Sequence, residues 1–103
     1  MEDNLLKDLL LGFIKVHILH YAAKKCIYGQ EFFNELRKHG YRISYGTLYP
    51  MFHRMEKEGY LKSEKKNAEG RTRRYYTITK EGKRILKRAK LQANELVEEL
   101  YGE

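Results

Sequence analysis

The hydrophobic pattern of this 103-residue chain changes its period near the middle, and that change limits the folds open to it. Up to residue 59, apolar residues recur three and four positions apart, as in amphipathic helices. Residues 60–78 instead alternate between apolar and polar, as in strands. The helical spacing then returns and continues towards the C-terminus. The sequence therefore predicts a mainly α fold with a small β-hairpin, and its length leaves no room for a large α/β enzyme core.

Caps and glycines mark where the predicted elements begin and end. The four helices are predicted at residues 4–25, 30–38, 45–58 and 80–101. The two strands are predicted at residues 60–66 and 72–78, with residues 67–71 as the loop between them. Ser44 and Thr79 are the N-caps of the third and fourth helices. Gly40 and Gly59 end the second and third helices, and Gly70 is suited to a positive φ in the hairpin loop.

The basic residues concentrate in one part of the chain. The formal net charge is +7, and residues 44–84 alone hold eleven Lys and Arg against five Asp and Glu. A charge excess that served only solubility would be spread more evenly. Its concentration in the middle of the chain therefore favours a polyanionic partner, double-stranded DNA before any other.

Three helices followed by a hairpin is the order of a winged helix-turn-helix, in which the third helix reads DNA and the hairpin is the wing. We assign residues 1–79 to a winged-helix DNA-binding domain and residues 80–103 to a C-terminal dimerisation helix. The apolar stripe of this last helix has no place on so small a core, and the first helix is apolar well beyond one face. We expect these two helices to join two copies of the chain in a two-fold dimer.

The predicted third helix has one apolar and one polar face. Leu48, Met51, Phe52 and Met55 share the inner face. Pro50 removes one backbone hydrogen bond, but the apolar spacing continues past it, so we keep the helix intact. A helix N-terminus favours phosphate, and polar side chains on the outer face can reach phosphate or base edges. The residues predicted to contact DNA here are Ser44, Tyr45, Gly46, Thr47, Tyr49, His53, Arg54 and Lys57.

The hairpin carries further basic residues close to its tip. Lys65, Lys66, Arg71 and Arg73 suit contacts with phosphates or with the minor groove. The alternative is that these charges only protect an exposed strand edge against aggregation. Beside a basic recognition helix we favour DNA contact.

Several motifs resemble those of a known family. Residues 44–51 (SYGTLYPM) and 54–59 (RMEKEG) resemble the central motif of the PadR family of transcriptional regulators. Residues 28–29 (YG), residues 73–79 (RRYYTIT) and Gly82 resemble the same family, and the likeness extends over residues 9–84. It implies a winged-helix DNA-binding domain in homodimers that mostly act as repressors. The single C-terminal helix resembles a short subgroup, some of whose members bind planar aromatic drugs between tryptophans; this chain has no Trp.

Other chemistries find little support in the sequence. His17 and His20 lie three apart and the chain has one cysteine, Cys26, but no further ligand lies at metal-binding spacing, so we predict no metal and no cofactor. No catalytic triad, carboxylate pair or phosphate loop is present, so we do not expect an enzyme. No apolar run approaches the roughly 20 residues of a membrane span. We expect a cytoplasmic protein without membrane contact.

The first hypothesis is a homodimeric PadR-like repressor that binds a pseudo-palindromic operator. The alternative is a winged-helix module that binds an acidic protein surface and has no specific DNA site. A third hypothesis adds a small apolar effector to the first: it would occupy a dimer pore between the first and last helices, near Phe13, His17, Leu96 and Leu100, and release the operator.

Overall fold

The computed structural model describes residues 3–102, so residues 1, 2 and 103 of the two predicted domains lie outside the described range. Within it, the predicted mainly α architecture with a hairpin is confirmed. The elements in chain order are α1 (Asn4–Lys24), β1 (Ile27–Tyr28), α2 (Gly29–Lys38), α3 (Tyr45–Lys57), β2 (Leu61–Ala68), β3 (Arg71–Ile78) and α4 (Lys80–Tyr101).

The predicted caps form as expected. The Ser44 side chain accepts a hydrogen bond from the Thr47 backbone N–H at 3.1 Å. Thr79 accepts one from the Gly82 N–H at 3.0 Å. Each bond pairs a backbone donor that the first turn of a helix would otherwise leave free. Gly40 (φ 88°) and Gly59 (φ 92°) follow the ends of α2 and α3 in the left-handed region, where glycine is not strained.

Pro50 does not end α3, which continues through it to Lys57. The lost hydrogen bond is outweighed by burial of the apolar face, since Leu48 and Phe52 are completely buried and Met51 and Met55 nearly so. The prediction that the helix continues past Pro50 is therefore confirmed.

The sheet has a third strand that the sequence reading missed. The strand order is β1-β3-β2 and both pairings are antiparallel. The two residues of β1 pair with β3 as Ile27↔Tyr76 and Tyr28↔Tyr75. Two residues are too few to produce an alternating pattern, so hydrophobic periodicity gave no signal for this strand.

The hairpin loop is shorter than predicted. We expected a loop over residues 67–71, but the strands pair up to Ala68↔Arg71 and leave only Glu69 and Gly70 as the turn. Both residues have positive φ, 54° and 77°. This is the geometry of a type I′ turn, whose twist matches that of the two strands it joins. The ladder therefore continues through Asn67 and Ala68, whose strand propensity is low.

The core lies between the C-terminal half of α1, the inner faces of α2 and α3, and the sheet. Tyr76 and Ile78 point inward, as the alternation predicts. The buried apolar residues are Ile14, Ile18, Leu19, Ala22, Ile27, Phe32, Leu36, Leu48, Met51, Phe52, Met55, Leu61, Tyr76, Ile78 and Leu86. Leu86 is the member of this set that belongs to α4, Ile85 packs against the core, and no described residue of α4 after Leu86 is buried.

Gly82 is the point where α4 approaches the sheet. A Cβ at this position would collide with the Tyr60 carbonyl oxygen and lie 2.7 Å from Ile78 Cγ1. We expect Gly82→Ala to lower the free energy of unfolding by about 2 kcal/mol, measured by urea denaturation, since the backbone cannot move aside without cost. Gly46→Ala is the control: its nearest neighbour would be Ser44 Oγ at 3.9 Å, so stability should stay equal or rise slightly. Equal effects at the two positions would contradict this packing.

Candidate nucleic-acid interface

The outer surface of α3 carries a row of aromatic rings. Tyr45, Tyr49 and His53 lie four residues apart and therefore share one side of the helix. Ring centroids are 5.8 Å apart between Tyr45 and Tyr49, and 5.6 Å apart between Tyr49 and His53. Each ring carries a polar atom, so the row presents hydrogen-bonding groups on a stiff support.

All eight residues that the sequence assigned to DNA contact at α3 are exposed, but they do not share one face. They are Ser44, Tyr45, Gly46, Thr47, Tyr49, His53, Arg54 and Lys57. Gly46, His53 and Lys57 point away from the core. Thr47 and Arg54 are on the flank towards α1, where each lines a groove with residues of that helix. The N-terminal hydroxyls are already engaged, since Ser44 Oγ lies 3.0 Å from Thr47 Oγ1.

Tyr45 is also a packing residue, which the sequence reading did not anticipate. Its ring stands edge-on to Phe33 of α2, with centroids 5.8 Å apart. A Cβ on Gly29 would lie 2.5 Å from the Tyr45 hydroxyl oxygen, so glycine at the start of α2 leaves room for this ring. Burial raises the pKa of the Tyr45 hydroxyl, and the nearby Tyr49 adds to the rise. The hydroxyl therefore stays protonated and able to donate.

The four predicted wing residues point to opposite faces of the hairpin. Lys65 pairs with Arg74, in line with Ser63 and Tyr76, on the side that packs against α3. Lys66, Arg71 and Arg73 lie on the other side, which we call the outer wing face. The cause is the two-residue period of a strand, which turns neighbouring side chains to opposite faces.

Two of the cations on the outer wing face rest on aromatic rings. The Arg73 guanidinium carbon lies 4.5 Å from the ring centroid of Tyr28, and Lys66 Nζ lies 5.6 Å from that of Tyr75. The two tyrosine rings meet edge-on with centroids 5.3 Å apart. These cation–π contacts hold the cations over the sheet. Tyr28 belongs to β1, so this arrangement could not be seen without the third strand.

A hydrogen-bonded bridge joins α3 to the wing, and the sequence reading missed it. The Ser63 hydroxyl donates to the Glu56 carboxylate, whose oxygens lie 2.8 and 3.0 Å from Ser63 Oγ. Arg74 Nη1 donates to the same hydroxyl at 2.8 Å. Residues from α3, β2 and β3 thus meet in one polar contact. The available signal was a serine at an inward-facing position of a strand, where an apolar residue would be usual.

A groove lies between α1 and α4. It has a volume of about 750 Å³, and its lining includes Phe13 and His17. Leu96 and Leu100, predicted to share the effector site, do not line it within one chain and lie further along α4. Of the thirteen large hydrophobic side chains exposed in residues 3–102, eleven belong to α1 and α4.

In the part of the chain that the structure describes, no three His, Cys, Asp or Glu side chains are grouped as metal ligands would be. Over the same residues, no helix is long and apolar enough to cross a membrane.

The order of elements, the capped third helix and the wing define a winged helix-turn-helix protein. Residues 18–88 match the model of the "Transcriptional regulator PadR-like family". The chain is 43% identical over 89 residues to the transcriptional regulator Rv3488 of Mycobacterium tuberculosis, which covers 86% of this chain and 83% of that protein. This chain belongs to the PadR-like family of transcriptional regulators. The family is one of regulators, so the predictions of PadR membership and of a protein that is not an enzyme are confirmed.

Solved structures agree with this assignment. A PadR-like transcriptional regulator (BC4206) from Bacillus cereus superposes with a TM-score of 0.78 at 31% identity, covering 93% of this chain and 99% of that one. A Streptococcus transcriptional regulator superposes with a TM-score of 0.83 at 27% identity, covering 91% and 94%.

The bridge between α3 and the wing can be tested through stability. Ser63→Ala removes the hydroxyl and leaves the partly buried Glu56 carboxylate without this donor. We expect the free energy of unfolding to fall by about 1.5 kcal/mol, as for hydrogen bonds to charged groups. Thr72→Val is the matched control, since it removes an exposed hydroxyl that donates to Asn67 Oδ1 at 2.8 Å near the wing tip. A loss for Ser63→Ala no larger than the control's would contradict a stabilising bridge.

Proposed function

We propose that this chain is a homodimeric repressor that reads a pseudo-palindromic operator with α3 in the major groove and the wing on flanking DNA. The observation that carries the proposal is the division of α3, whose four apolar residues are buried while every predicted contact residue is exposed. The basic excess of residues 44–84 lies mainly on the wing, where residues 61–78 hold six Lys and Arg against two Glu, and α3 adds Arg54 and Lys57 beside Glu56. A helix with a stable inner face and a polar outer one is suited to lie in a groove.

The proposed contacts differ in kind. Tyr49 and His53 carry hydrogen-bonding groups in the exposed row and are assigned to base edges. Arg54, Lys57 and Lys65 are assigned to phosphates, together with Ser44, Tyr45, Gly46 and Thr47 around the helix N-terminus. Lys66, Arg71 and Arg73, on the outer wing face, are assigned to the flanking DNA backbone. Lys65 would approach the DNA from the opposite face of the hairpin.

The dimer is proposed from the apolar surface of α1 and α4. Leu5 is 81% exposed and Leu100 is 66% exposed, which is a large amount of apolar surface for a chain of this size to leave in water. A two-fold dimer would cover it with the same surface from a second copy, and residues 80–103 would be the dimerisation helix beside the winged-helix domain of residues 1–79.

The effector is proposed from the groove between α1 and α4. A small apolar ligand there would contact Phe13 and His17. Leu96 and Leu100 enter this proposal only through the dimer, in which the α4 helix of a second copy would have to bring them to the groove. Binding at a dimer interface offers a direct way to change the spacing of two recognition helices and so release the operator.

Salt dependence separates phosphate contacts from base contacts. With a labelled duplex from upstream of the coding region, we expect Arg54→Ala and Lys65→Ala each to reduce the salt slope by about one, because each removes one phosphate contact. Tyr49→Phe and His53→Ala should instead narrow the difference in dissociation constant between this duplex and a scrambled one. Lys87→Ala on α4 is the control for loss of charge. If the native protein binds both duplexes equally and both affinities collapse at higher salt, a winged-helix module that binds an acidic protein surface is favoured instead.

The dimer can be tested with two leucines of the same helix. Leu96 lies on the apolar stripe of α4, whereas Leu91 faces the opposite side, although it is also exposed. By sedimentation velocity, Leu96→Glu should weaken self-association by about 30-fold or more, because it buries an unpaired charge at the interface. Leu91→Glu should leave self-association unchanged. Equal behaviour of the two variants would contradict a dimer built on this stripe.

A further inference from the structure

Helix α1 is hydrogen-bonded at two positions to residues 39–44, the connection between α2 and α3, which we call the turn. His17 Nε2 lies 3.2 Å from the Tyr41 hydroxyl, and one helical turn further on, the Tyr21 hydroxyl lies 2.9 Å from His39 Nε2. His39 follows the end of α2, and Tyr41 stands three residues before Ser44, the N-cap of α3. In the first bond the histidine belongs to α1 and the tyrosine to the turn. In the second bond the tyrosine belongs to α1 and the histidine to the turn.

The four rings also pack against one another. The His17 ring centroid is 5.2 Å from those of both His39 and Tyr41, and 6.4 Å from that of Tyr21. Tyr21 in turn meets the core residue Phe32 edge-on at 5.8 Å. We call His17, Tyr21, His39 and Tyr41 the His–Tyr cluster. Its rings leave the turn little freedom to move independently of α1.

The cluster reaches the groove on one side and the start of α3 on the other. His17 and Tyr41 both line the groove between α1 and α4. The Tyr41 backbone N–H donates to the Leu36 carbonyl of α2 at 3.1 Å, which fixes the course of the turn. Tyr41 therefore has its ring at the groove and its backbone in the segment that determines where α3 begins.

Both members of the His17–Tyr41 pair favour their neutral forms. Burial lowers the pKa of His17, and the nearby His39 and His20 lower it further. Burial raises the pKa of Tyr41. A protonated His17 would place a positive charge close to His39 and His20. The contact is therefore a hydrogen bond between two uncharged groups, which either forms with good geometry or is lost.

We propose that His17 and Tyr41 are positioning residues that couple the α1–α4 groove to the recognition helix through the His–Tyr cluster. This rests on the proposed function, in which α3 reads DNA and the groove belongs to the dimer. A movement of α1, or a group placed in the groove against His17, then changes the orientation of α3 because the turn is held to α1 by directional bonds. Coupling of this kind needs an element that has two arrangements. Here that element is the turn, which is either hydrogen-bonded to α1 or released from it.

Conservative variants test the positioning role. Tyr41→Phe and His17→Leu, which has no hydrogen-bonding group, should each weaken binding to the operator duplex about fivefold, the equivalent of one net hydrogen bond, and leave binding to a scrambled duplex unchanged. Because both remove the same bond, the double variant should also lose about fivefold and not the product of the two. His20→Leu is the matched control, because His20 lines the same groove on the same helix but has no hydrogen bond to the turn in the described residues. Unchanged operator binding, or equal loss on both duplexes, would overturn the proposal.

The coupling between the groove and α3 can be tested by filling the groove with a larger side chain. Ala93 lines the groove with His17, so Ala93→Phe places a ring there without any added ligand. We expect it to weaken operator binding in the otherwise native protein and to have about fivefold less effect in the Tyr41→Phe background. Equal effects in both backgrounds would overturn the coupling while leaving the proposed dimer untouched.

Hydrogen exchange of the free protein keeps this inference separate from the proposed function. In Tyr41→Phe, the amides of residues 41–48 should exchange about fivefold faster, whereas the amides of the wing tip, residues 64–72, should exchange as in the native protein, and His20→Leu should leave both sets unchanged. Unchanged exchange of residues 41–48 would overturn the positioning role even if operator binding is found. Faster exchange in a protein whose native form prefers no duplex would instead contradict DNA reading and leave the cluster's hold on the turn supported.

Discussion

The contact on which the rest of the structure depends is the packing of Phe52 between two other aromatic rings. Phe52 of α3 meets Phe32 of α2 edge-on, with centroids 5.7 Å apart, and lies 4.8 Å from the Tyr76 ring of β3. One side chain of α3 thus touches both the helix before it and the central strand. Because all three rings are almost completely buried, α3 cannot rotate without opening the core. This rigidity lets the outer face of a short helix hold a fixed set of polar groups.

The wing is fixed to this core in a different way. Near the core, Leu61 and Ile78 are buried and pair across the two strands. Further out the hairpin has too little apolar surface to be held by burial, and the Glu56–Ser63–Arg74 bridge takes over. A polar bridge is directional, so it sets an angle between the wing and α3 that apolar contacts alone would leave loose. Near the tip, the type I′ turn and the cross-strand pairs keep the hairpin ordered.

Local pattern was sufficient for most of the fold, and it failed where the answer depends on contacts between distant parts of the chain. Ser44, Thr79, Gly40 and Gly59 mark helix ends by their own chemistry, so the helices could be predicted closely. The two residues of β1 form a strand only because β3 is there to pair with them. Strand periodicity already predicts that Lys65 and Lys66 point to opposite faces of the hairpin. Grouping the two lysines by their position near the tip overlooked this. The Glu56–Ser63 and His17–Tyr41 contacts join different elements, and no spacing in the sequence records them.

Helix α1 connects these observations, since its two halves have different tasks. Its C-terminal half supplies Ile14, Ile18 and Leu19 to the core, and its N-terminal half leaves Leu5, Leu6 and Leu9 exposed. A rigid helix that is anchored in one unit and uncovered at its other end transfers any displacement of the free end to the anchored one. Apolar contacts in the core tolerate small sliding because they are not directional, whereas the two His–Tyr hydrogen bonds do not. In the proposed coupling, the turn before α3 is therefore the part of the winged-helix unit most sensitive to where α1 lies.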